Sequence, residues 1–158
     1  MGKKFDLVIG SLLLHLLVDP DMCLRSVKRV MNKGAHIYVS VLKDRRGSTF
    51  ISLADNILIN HGKQTPLDDI FELGEGDRFE KLMNNHGFRT VWLKTESINF
   101  VEAETDHPII LRQSFFFKSS EPSKQQEMER DLEEALQQMK REQSPHRLNV
   151  LSGLFRLG

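Results

Sequence analysis

Residues 5–42 read FDLVIGSLLLHLLVDPDMCLRSVKRVMNKGAHIYVSVL, and the fold turns on how this stretch is divided. Phe5 to Gly10 is almost continuously apolar and rich in branched and aromatic side chains, the pattern of a strand covered on both faces in a parallel sheet. Asp19-Pro20-Asp21 then supplies an N-cap and a proline for the first helical position. Cys23, Val27, Val30 and Met31 follow at helical spacing. Lys28, Arg29 and Lys33 gather where a helix dipole favours cations, and Gly34 is the expected stop. Ala35 to Leu42 is predicted as a second strand. Strand, helix and strand with short joins form one βαβ crossover, which places both strands parallel in one sheet.

Working outward, residues 47–60 predict a helix with Phe50, Leu53, Ala54, Ile57 and Leu58 on its apolar face. Turn chemistry over 63–76 predicts a loop anchored at Ile70 and Phe71. A helix is expected over 77–86, with Phe79, Leu82 and Met83 inward and Gly87 as its end. Residues 88–95 and 109–118 are expected to be two further strands. The stretch between them is too short for another parallel crossover helix, so the last pair is expected to be antiparallel. Beyond Glu121 the composition becomes charged and glutamine-rich. Met128, Leu132, Ala135, Leu136 and Met139 predict an amphipathic helix over about 123–143, ended by Ser144-Pro145. Leu148, Leu151, Leu154 and Phe155 give the remaining residues a weaker apolar face. The expected division is therefore 1–120 as the α/β part and 121–158 as a helical tail.

Lys plus Arg and Asp plus Glu both number 22 in 158 residues, so the formal charge is zero and no nucleic-acid partner is expected. Cys23 is the only cysteine, which excludes an internal disulfide and fits the cytoplasm or another reducing compartment. The apolar run 7–18 falls short of the roughly 20 residues that a spanning helix needs. Asp6 interrupts what would otherwise resemble a secretory leader, and it also breaks the myristoylation pattern. His36, His61, His86, His107 and His146 lack metal-ligand spacing, so no metal is expected.

The opening stretch resembles the second half of a class I S-adenosylmethionine (SAM) dependent methyltransferase, similar to the enzymes of ubiquinone and menaquinone biosynthesis. The resemblance lies in Phe5, Asp6, Val8, Gly10, Ser11, Leu14, His15, Asp19, Pro20, Arg29, Val30 and Gly34, in register without a gap. It continues more loosely through GDRFEKLMNNHGFRTVWLK and covers Phe5 to Lys118. Leu16, Lys33 and Ala35 depart from the family pattern, which weakens inference about a particular substrate. The resemblance implies an incomplete Rossmann-like doubly wound α/β sheet, containing strands 4, 5, 7 and 6 of that fold with the last antiparallel, plus a carboxyl-terminal amphipathic helix.

In such sheets the pocket forms at the carboxyl ends of the strands near the reversal of strand order. By resemblance, Gly10, Ser11 and Leu12 would meet the methionine end of the cofactor SAM. His15 would be a substrate contact or general base, weighed against an imidazole that merely packs on the sheet and bonds a carbonyl. Lys43 and Asp44 reach the pocket edge by topology and are expected to form a solvated turn. By resemblance, residues 47–60 and the following loop occupy the position where the family often elaborates a lid over the acceptor, a pattern that ordinary surface packing explains equally well. Trp92 and Phe115 to Phe117 are expected in the core.

The family's glycine-rich SAM loop, ribose-binding acid and adenine-contacting segment would precede Phe5, and GEG at Gly74 to Gly76 follows a polar loop and reads as a turn. The chain alone is therefore expected to be inactive, and its methyl acceptor, small molecule or protein, is left open. The alternative is a non-catalytic interaction module derived from the same fold. Partner binding or self-association would then use the unpaired sheet edge or the tail helix.

Overall fold

The computed structural model describes residues 3–63, 68–100 and 106–158. Four strands, β1 (Phe5–Gly10), β2 (Met31–Leu42), β3 (Phe88–Phe100) and β4 (His146–Leu157), form one sheet in the order β1-β2-β4-β3. β1 runs parallel to β2, and β4 is antiparallel to β2. The helices are α1 (Pro20–Arg29), α2 (Thr49–Asn60), α3 (Asp68–Phe71), α4 (Arg78–Asn85), α5 (Asp106–Gln113), α6 (Phe115–Lys118) and α7 (Pro122–Arg141). Two compact units result. The first comprises Met1–Asp44, Asp69–Glu96 and Asn149–Gly158, the second Arg45–Asp68 and Ser97–Leu148.

In the first unit the sheet's order and orientation match the expected 4-5-7-6 arrangement with an antiparallel last strand, but a different segment supplies that strand. Residues 109–118 are helical, in α5 and α6, and the last strand is β4, drawn from the stretch read as a weak helical face. The physical reason is visible in burial: β4 is covered on both faces over Val150 to Gly153, as befits an interior strand. Its apolar residues are continuous enough to satisfy a helical period by accident. β3 is also longer than predicted and runs on to Phe100.

α1 begins as the sequence dictates. Asp19 Oδ1 accepts the Met22 amide hydrogen at 2.7 Å, and Pro20 occupies the first turn. It ends earlier than expected, at Arg29, and β2 starts at Met31, so Gly34 is a bend in the strand with φ of 77°. The extra β2 residues shift the pairing from Phe5–Met31 to Leu7–His36. One face of the sheet buries Ile37, Val39 and Val41 with Leu24 of α1 and Phe79 and Met83 of α4. Phe79 meets Phe155 edge-on, with ring centroids 5.4 Å apart. Gly153 has no room for a side chain, because a Cβ there would stand 2.5 Å from the Phe155 ring.

The second unit has its own core, in which Ala54, Ile57 and Leu58 of α2 pack with Leu111, Phe117, Met128 and Leu132. His61 bonds Asp131 at 2.8 Å, tying the end of α2 to α7. The aromatic residues expected to share a core are divided: Phe117 is buried here, while Trp92 of β3 is 40 % exposed in the first unit beside Tyr38. Part of the predicted 63–76 loop, residues 64–67, and part of the connection after Glu96, residues 101–105, lie outside the described residues.

Candidate functional site

β1 delivers Gly10 to the carboxyl edge of the sheet, where the chain turns sharply. Leu12 adopts φ of 49°, a left-handed conformation disfavoured for a side chain of this kind. A single buried hydroxyl holds the turn. Ser40 Oγ of β2 accepts the Leu12 amide hydrogen at 3.0 Å and lies 3.2 Å from Ser11 Oγ. Ser40 was not legible as a site residue, although it is the one polar side chain in the otherwise apolar run VSVL at the end of its strand.

The turn continues into a short 3-10 segment, Leu14–Leu16, with Leu14 in the core and His15 9 % exposed. The His15 Nδ1 atom is buried without a hydrogen-bond partner. Burial pushes the imidazole pKa below its usual value, so the ring is neutral at neutral pH. At Nδ1, then, the expected bond from the imidazole to a carbonyl is not present. A neutral ring can accept a proton at one nitrogen and donate from the other.

The carboxyl end of β2 is built by close contact. Lys43 donates through Nζ to the Gly74 carbonyl at 2.7 Å, and Asn149 donates to Asp44 at 3.2 Å. These two residues are thus half-buried and bonded rather than the solvated turn that was expected. A Cβ at Gly74 would lie 2.1 Å from the Leu42 carbonyl oxygen, so only glycine permits this approach. Gly74 closes a 3-10 turn and Gly76 follows in a left-handed conformation, in line with GEG as a turn.

Gly10, Ser11, Leu12 and His15 are brought together on one turn. The Ser11 hydroxyl and the Leu12 N–H are already engaged with Ser40. Gly10 faces open space, since a Cβ there would meet nothing within 4 Å. These residues form a wall against which a ligand could lie. Hollows also lie elsewhere. One of about 380 Å³ is lined by Lys33, Gly34, Arg89 and Arg156, at the amino end of β2. Another of about 480 Å³ lies along α7 in the second unit, beside the 2.7 Å Arg112–Glu129 pair. Among the described residues no group of His, Cys, Asp or Glu could hold a metal ion, and no helix is long and apolar enough to cross a membrane.

No family model and no curated protein matches the chain by sequence. Solved structures do match. A protein provisionally assigned as a methyltransferase from Bacillus halodurans C-125 superposes with a TM-score of 0.53 at 12 % identity, covering 98 % of this chain and 64 % of that one. Phosphoethanolamine N-methyltransferase 2 of Haemonchus contortus, solved with phosphomonomethylethanolamine and S-adenosylhomocysteine, matches at TM-score 0.43 and 12 % identity, over 97 % of this chain and 33 % of that one. SpnF, a [4+2]-cyclase, matches at 0.46 and 14 % identity, over 98 % and 50 %. The last two scores are too low to carry an argument, and at these identities the first speaks for fold alone. This chain spans less than two thirds of the Bacillus protein. With β1, β2, β4 and β3 in the order and sense described, the chain has the class I methyltransferase fold over the strands it contains.

Proposed function

We propose that the chain supplies the carboxyl-terminal part of a SAM-dependent methyltransferase acting on a small-molecule acceptor, and that it needs cofactor-binding elements beyond its own residues. The observation that carries this reading is the strand order β1-β2-β4-β3, with the apolar β1 at a margin of the sheet formed by the described residues. Methyl transfer from a sulfonium needs aligned reactants and excluded water more than covalent help. The Gly10–His15 turn would contribute one wall, and the neutral His15 imidazole would face the acceptor. The half-exposed thiol of Cys23 suits a reducing compartment such as the cytoplasm.

Calorimetric titration of SAM into the 158-residue chain, and into the polypeptide translated with its upstream reading frame, tests the proposal. Binding by the extended form alone supports it. Binding by the 158 residues with equal affinity, or by neither form, overturns it. The second of these results favours the interaction-module reading.

A further inference from the structure

Three strands bring cations to one place. Lys33 of β2, Arg89 of β3 and Arg156 of β4 line the hollow of about 380 Å³ at the amino end of β2, with Gly34, Leu157 and Gly158 as the rest of its wall. Among the described residues none of the three cations is in an ion pair. Asp6 of the neighbouring β1 bonds Asn32 at 2.7 Å instead. Arg156 is seated by the bend in β2: its Nε donates to the Gly34 carbonyl at 3.3 Å, and a Cβ at Gly34, where φ is 77°, would press on one of its terminal nitrogens at 3.3 Å. Those terminal nitrogens have no protein partner among the described residues. The Gly158 amide donates to the Gly87 carbonyl at 3.1 Å, which ties the end of β4 to the start of β3 and sets Arg89 beside the same hollow. Like charges held together in this way repel unless an anion lies between them.

We propose that this hollow binds a small soluble phosphate monoester, with the phosphate held between the Arg89 and Arg156 guanidinium groups and the Lys33 ammonium. Two guanidinium forks match phosphate oxygens in bidentate fashion, and the lysine adds a point charge. Three cations suit a dianion better than a single carboxylate. The volume is that of a small-molecule site. A nucleic acid is the poorer fit, because the wall offers no aromatic ring for a base to stack on and the chain carries no excess of basic residues. A lipid surface is poorer too, since the one large apolar residue of the wall, Leu157, is buried in the core rather than presented at a rim. The site stands at the other end of β2 from Ser40 and the Gly10–His15 turn, so it does not rest on the SAM reading.

Calorimetric titration of the 158-residue chain with inorganic phosphate and with glycerol phosphate, at constant ionic strength, should show one saturable site for each. Arg89→Gln should weaken both by about tenfold or more, the order of a lost charge-assisted hydrogen bond. Its side chain makes no bond within the described residues, so the thermal midpoint without ligand should stay where it is. Arg156→Gln should weaken binding as much, whereas Lys124→Gln on α7 should leave it unchanged. Absence of a saturable site, or full binding by Arg89→Gln, overturns the proposal. Equal binding of succinate, which carries the same charge without the phosphate geometry, does so too, as does co-sedimentation with phosphatidic acid vesicles in preference to glycerol phosphate.

Discussion

Replacing Ser40 by alanine removes the acceptor for the Leu12 N–H and the partner of the Ser11 hydroxyl. A lost hydrogen bond that strands a backbone donor costs about 1–3 kcal/mol, so Ser40→Ala should lower stability by that order in urea denaturation. His15 acts through its proton. Burial favours the neutral ring in the folded chain, whereas the unfolded chain takes up a proton near the usual value of 6.5. Stability from this residue is therefore complete above pH 6.5 and lost as pH falls towards the depressed folded value. Denaturation midpoints compared at about pH 7.5 and about pH 5 should show the loss, and His15→Leu should abolish that component. The same substitution should raise stability at neutral pH by about 1 kcal/mol, since an unpartnered buried nitrogen is replaced by carbon. An unchanged pH dependence in His15→Leu would refute the assignment. Gly10, Ser11, Leu12 and His15 could be read as neighbours from the sequence because four to six consecutive positions must share a turn. Ser40 could not, because a contact across 28 residues depends on strand register.

β4 shows why elements are harder to read than residues. In HRLNVLSGLFRL, Leu148, Leu151, Leu154 and Phe155 satisfy a helical spacing, but Val150, Ser152 and Gly153 are buried as well. Only a strand covered on both faces needs small residues such as Ser152 and Gly153 between its large ones. The converse error at residues 109–118 has a matching cause. Branched and aromatic side chains favour strands, yet Leu111 and Phe117 find their partners in the helical core of α2 and α7. The start of α1, and α4 and α7, were legible because an aspartate cap, prolines and Gly87 mark them, whereas Gly34 marks neither the end of α1 nor the start of β2. Gly153→Ala tests the β4 assignment directly. A methyl group driven against the Phe155 ring and Leu93 should cost about 1–3 kcal/mol by overpacking, read as a lowered thermal midpoint. If residues 146–157 were helical, alanine would instead stabilise them.

At the scale of the molecule, the strand order was legible from family resemblance, while the residues that fill each place in it were only partly so. β2 and β3 are separated in the sheet by β4, the element that follows both in the chain. The centre of the sheet is thus assembled from its latest-made segment, across contacts as remote as His36 with Arg156. During synthesis, β1 with β2 and β3 with α4 can form early, and α4 can pack on β2, but the sheet itself cannot join β2 to β3 until residues 146–157 clear the ribosome. Closure of the fold is therefore a late, long-range event, slow by the usual dependence of rate on contact separation, and until it occurs two apolar half-sheets stand open to the chaperones that patrol nascent chains.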